Sequence, residues 1–107
     1  MEDTLDVIKR LNVGVITDTE ETIIDLTNGA VIKTILIGNG TEKEQTVSLE
    51  IDGVVFLYVI QSKSTLNISD SIVCNILKTK IIKPTDALET DEFKLNYHIS
   101  GIQLGNA

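Results

Sequence analysis

Residues 46–60 read TVSLEIDGVVFLYVI, and this stretch decides the fold. Residues 46–51 alternate polar and apolar, the period of a strand with one face buried. Asp52-Gly53 follows. That dipeptide suits a two-residue type I′ turn, whose two central positions both need positive φ. Residues 54–60 then run back as VVFLYVI. They are apolar throughout and rich in the branched and aromatic side chains that fit a pleated sheet. The expectation is a β-hairpin whose second strand is buried on both faces.

Working outward from the hairpin, the same vocabulary repeats. Residues 8–16 read as a first strand and 22–26 as a second. Asn28-Gly29 reads as another hairpin turn, and AVIKTILI at 30–37 as a central third strand. A glycine-rich, charged loop at 38–45 leads into the hairpin. Beyond it come a short strand at 65–68, a turn at Ser69-Asp70, a strand at 71–77 and a brief one at 80–83. The last of these stops at Pro84, which cannot donate to a ladder and suits a strand end. Residues 85–92 form the most acidic loop.

The last strand spans residues 93–104. Phe93, Leu95, Tyr97 and Ile99 share one face, whereas Ile102 and Leu104 fall on the other parity. An extra residue at Ser100-Gly101 would restore them, so a β-bulge is expected there. Residues 1–7 read as a flexible arm ahead of a single β-sandwich domain at 8–107. Leu5, Ile8 and Leu11 stand at helical spacing behind Thr4 as a cap, which leaves a short N-terminal helix as the alternative to an extended arm. In sum the pattern predicts an all-β, antiparallel β-sandwich of eight or nine strands, jelly-roll or immunoglobulin-like in order.

Composition agrees. The chain has 107 residues, 42% of them hydrophobic but only 4% aromatic, and branched aliphatic residues dominate. That length suits one domain with its own core. The net charge is −7, which disfavours nucleic acid, because binding a polyanion draws on clustered Lys and Arg. The one group of three basic residues close together is Lys78, Lys80 and Lys83. No apolar run approaches the ~20 residues of a membrane helix. MEDTLDVIKR lacks the apolar segment of a secretory signal, so synthesis in a cytoplasm is expected. The one cysteine, Cys74, lies in an apolar run and reads as a small buried hydrophobe.

Residues suited to catalysis are sparse. His98 is the only histidine and stands on the polar parity of the last strand. No serine elbow, zinc-protease or paired-cysteine motif occurs. Asp25 and Glu50 are strand carboxylates at outward positions, which fits solvated faces better than an acid–base pair. Asp86, Glu89, Asp91 and Glu92 offer oxygens for calcium, but without the spacing of a calcium loop. The expectation is no enzyme, with no catalytic, cofactor or metal residues. What remains is apolar surface. Residues 30–37 and 54–60 are apolar on both faces, while a sandwich buries one. Either the small domain curls enough to bury both faces or the surplus meets another subunit, and a homo-oligomer is the favoured expectation.

Several segments carry a resemblance. They are residues 22–26, residues 31–39 (a long apolar strand ending in Gly38-Asn39), residues 47–53 (VSLEIDG) and residues 98–104 (HISGIQL). In this order, from about residue 8 to 104, the chain resembles the small single-domain β-sandwich virion structural proteins of tailed bacteriophages. Asn28-Gly29 and Lys78-Thr79 stand where that family usually has a proline and a Gly-Asp turn. The resemblance implies capsid decoration, a head fibre or a head–tail accessory role, by protein–protein assembly alone. It implies a homo-oligomer, with a trimer favoured, bound to other virion proteins such as the major capsid protein. It implies a chain made in the host cytoplasm and carried in the virion. The alternative is a ligand- or glycan-binding adhesion module, for which Phe56, Tyr58, Phe93 and Tyr97 are the only aromatics.

Overall fold

A computed structural model describes residues 7–105. Seven strands make one open antiparallel sheet: β1 (Lys9–Ile16), β2 (Glu21–Asn39), β3 (Gln45–Ile51), β4 (Val54–Ile60), β5 (Ser64–Ile68), β6 (Ile72–Ile82) and β7 (Leu95–Gln103). Their order is β1-β7-β2-β6-β3-β4, with β5 paired to the C-terminal part of β2. No helix occurs among the described residues. The all-β, antiparallel expectation holds, but the sheet has seven strands rather than eight or nine.

The difference has two causes. Residues 22–26 and 30–37 belong to the single 19-residue strand β2. Asn28-Gly29 is a bulge in it, not a reversal. Gly29 does take positive φ, 81°, but the chain continues forward because both sides are held. Leu104 N donates to Gly29 O at 2.9 Å. The Asn75 amide donates to Leu26 O at 3.2 Å and Thr27 O at 2.9 Å. Likewise the segments at 71–77 and 80–83 fuse into β6, which runs on through Lys78 and Thr79 to Ile82. Pro84 stands two residues beyond the strand end at Ile82, in keeping with a strand that stops before it.

One core serves every strand. Ile16 of β1, Ile32, Ile35 and Ile37 of β2, Leu49 of β3 and Ile60 of β4 belong to it, with Leu77, Ile81, Leu95 and Ile99 of β6 and β7. Each such side chain contributes about 1.5–3 kcal/mol through removal from water. Strands lie ~4.8 Å apart, so a flat sheet could not bring β1 and β4 to one core. The sheet therefore coils over its inner face. Thr17 O, just past β1, accepts a hydrogen bond from Ile81 N of β6 at 2.8 Å, although β7 and β2 stand between those strands.

The register change near Ser100-Gly101 is real but is carried by the neighbours. β1 has an extra residue between Arg10 and Asn12, and β2 between Ile32 and Thr34. β7 itself alternates without interruption, and Gly101 takes the buried position that Ile102 was expected to share. A bulge in either partner shifts the register as well as one in β7 does. Only a glycine lets the β2 backbone and the Leu11 side chain close over this point: a Cβ on Gly101 would collide with Val31 O and stand 2.9 Å from Ile32 Cα.

At the N-terminus, Lys9–Leu11 are in β1, which rules out a helix through Leu11. Val7 and Ile8 are exposed and outside any strand. Of the arm expected at residues 1–7, residues 1–6, with Thr4 and Leu5, lie outside the described residues.

Candidate functional site: an unguarded sheet edge

The polar residues singled out in the sequence do not converge. His98 and Asp25 are exposed, and Glu50 is half-buried on β3 opposite Lys78. Asp86, Glu89 and Glu92 are exposed, and no group of three metal-ligating side chains forms among the described residues. Asp91 is committed to the loop: it pairs with Lys43 at 2.7 Å and accepts from Leu88 N at 2.8 Å. These hydrogen bonds hold its carboxyl below the usual range, the Lys43 bond first and then the Leu88 amide. A cleft of about 480 Å³ lies between this loop and residues 43–46. Its wall includes Gln45, whose Nε2 donates to Thr41 Oγ1 and Glu92 O.

Cys74 is fully buried, as expected. Burial, helped by the negative charge of Asp52, pushes its thiol up to about 11. A thiol so placed holds little thiolate at neutral pH. Iodoacetamide is therefore expected to leave the native protein unlabelled for hours and to label it promptly in guanidinium chloride. Fast native labelling, followed by mass spectrometry, would contradict the burial.

Of the four aromatics available to a glycan, Tyr97 is buried and Phe93 is half-buried with Lys83 Nζ 5.2 Å from its ring centre. That leaves Phe56 and Tyr58, both on β4.

Strand β4 is where the structure departs most from expectation. It was expected to be buried on both faces. It is instead the last strand of the sheet, paired only with β3. Val54, Val55, Phe56, Leu57 and Val59 are 44–63% exposed, and only Ile60 is fully buried. A doubly covered strand and an exposed edge strand have the same composition here, so hydrophobic pattern alone does not separate them.

The hairpin that carries β4 is built rigidly. Asp52 and Gly53 both take positive φ, 49° and 87°, as a type I′ turn requires. Asp52 also clasps the turn to β6: its N–H donates to Ile76 O, and its carboxylate accepts from Asn75 N and Ile76 N, each at 2.9 Å. The far end is held by Asn39, 2% exposed. Its Nδ2 donates to Ile60 O at 2.9 Å and Lys43 O at 2.8 Å, and its Oδ1 accepts from Thr41 N and Thr41 Oγ1. Sequence reasoning assigned Asp52 only to the turn and gave Asn39 no role. Neither clasp is visible without the fold, since each joins segments more than 20 residues apart.

The inner face of β4 looks across an open groove of about 380 Å³. Val54, Phe56 and Tyr58 line one wall, with Ile68 of β5 and Ile72 of β6 opposite. The outer face carries Val55, Leu57 and Val59.

The other free edges differ. β1 bears Lys9 and Arg10, a bulge at Leu11 and a glycine at position 14. Charges and bulges are the usual devices that stop a sheet edge from pairing with another chain. β5 is five residues long and mostly polar. β4 has no charge, no proline and no bulge.

No protein-family model, curated protein or solved structure matches this chain. The reading of its function therefore rests on the edge and on the residues around it.

Proposed function

We propose that this protein is a structural component that works by assembly, of the kind found in bacteriophage particles. One observation carries the reading: a seven-stranded sheet ends in an exposed strand that is apolar at every position and carries none of the usual guards. A patch of this kind on a small acidic protein marks a contact surface. The proposal needs no bound group and no reacting side chain. Its partners are further copies of the chain and other virion proteins such as the major capsid protein, met in the host cytoplasm and retained in the virion. The motifs around residues 31–39, 47–53 and 98–104 support the virion class, and in this reading the coiled sheet serves as that family's sandwich unit.

The test is mass spectrometry of particles purified by density from the virus that encodes the chain. The protein is expected at stoichiometric, repeated copy number and should resist removal by salt, since its contact surface is apolar. Particles that lack it altogether would refute the proposal.

A further inference from the structure

We infer that β4 is completed by β4 of a second copy, edge to edge and antiparallel about a two-fold axis at Leu57. The inference rests on the assembly reading and names its first partner.

Backbone geometry sets what the occupant must be. The two-residue turn makes Ile51 and Val54 a hydrogen-bonded pair, and the ladder alternates from there. Val54, Phe56, Tyr58 and Ile60 thus direct their N–H and C=O groups toward β3. Val55, Leu57 and Val59 direct theirs outward, where the sheet offers no strand. An apolar surface alone could accept many shapes. A row of outward amides and carbonyls accepts a strand.

Self-pairing fits this row. With the axis at Leu57, Val55 of each copy lies opposite Val59 of the other, and Leu57 lies opposite itself. These are branched cross-strand pairs that favour an antiparallel ladder. Charge also permits it, although each chain carries −7. The outer-face carboxylate nearest the edge, Glu50, neighbours Val55, while Thr46 neighbours Val59. The two Glu50 side chains therefore sit at opposite ends of the joint, each in line with Thr46 of the other copy. A three-fold ring would instead need β4 to meet a different edge, and β1 is charged and bulged while β5 is short.

The area limits the strength. The exposed apolar side chains of β4 supply on the order of half of the ~800 Å² per partner that a standard interface buries. A dissociation constant in the range of ~1–100 μM is expected from so small a contact. On a particle, where copies are held at effective concentrations up to about millimolar, such a contact is populated.

The test is light scattering of the full chain across a dilution series, with Leu57→Lys and Leu57→Pro beside it. The wild type is expected to pass from the 11.7 kDa chain to twice that mass. Lysine would face lysine at the axis and weaken pairing by about 100-fold or more. Proline removes an outward N–H and so spares the ladder to β3. Both variants should be monomers that keep the strand signal in circular dichroism; where proline disturbs the fold, lysine decides. A dimer that both folded variants retain would overturn the pairing and leave assembly to another face. A wild type that stays monomeric at about millimolar concentration would overturn it too. The assembly reading is judged separately, by the presence of the chain in particles.

Discussion

Gly101→Ala is expected to lower stability by about 3 kcal/mol or more, the upper part of the range for overfilling a packed site. For a domain of this size that is a fall of roughly 12–24 °C in the thermal midpoint. The added methyl would meet backbone on one side, at Val31 O and Ile32 Cα, and Leu11 Cδ1 at 3.1 Å on the other. A flexible side chain can step aside; the β2 backbone is pinned by its pairing to β7 on one edge and β6 on the other. Gly40→Ala is the control. A Cβ there meets nothing within 4 Å, so a change within about 0.5 kcal/mol is expected. Thermal melts of the two variants that coincide would show that the crossing of β1, β7 and β2 at Gly101 is looser than described.

Asn39→Ala is expected to cost roughly 2–4 kcal/mol. It strands the buried Thr41 amide, which costs about 1–3 kcal/mol, and removes the second bond to the Ile60 carbonyl, worth about 1 kcal/mol, while that carbonyl keeps its place in the ladder to β3. The effect should reach β4, because Asn39 ties the end of that strand to the end of β2. Hydrogen exchange of the Ile60 and Thr41 amides should therefore accelerate before global unfolding. Asn39→Asp gives the sign test. A carboxylate there would face the Ile60 and Lys43 carbonyls, and burial would raise its pKa above the unfolded value. The folded state of this variant should weaken as pH rises through that raised pKa and recover on acidification. Denaturant midpoints for Asn39→Ala within error of the wild type would discount the clasp.

These two residues also show how far the sequence could be read. The hairpin at 46–60 was legible because alternation, Asp52-Gly53 and returning β-branched residues are all local. The long strand β2 was not, because Asn28-Gly29 encodes positive φ without saying whether the chain reverses. That choice was made by Asn75 and Leu104, 47 and 75 residues away from Asn28 and Gly29 respectively. Gly101 was legible as a special position, yet the extra residues sit in strands that pair with it only in the fold. The candidate site was half legible. The doubly apolar run at 54–60 pointed to surface left over for a partner, but periodicity places such a run in the middle of a sheet as readily as at its end.

The strand order has a kinetic consequence. Among all paired strands only β3 and β4 are neighbours in sequence. Every other ladder, down to β1 with β7, must close a long loop first, and such chains fold over milliseconds to seconds. A hairpin closes in about 1–10 μs. The strand with the unguarded edge is thus the earliest piece able to form, well before the rest of the sheet can shield its inner face. For a time each new chain exposes an unguarded strand edge with no domain behind it, open to pairing with whatever strand lies nearby.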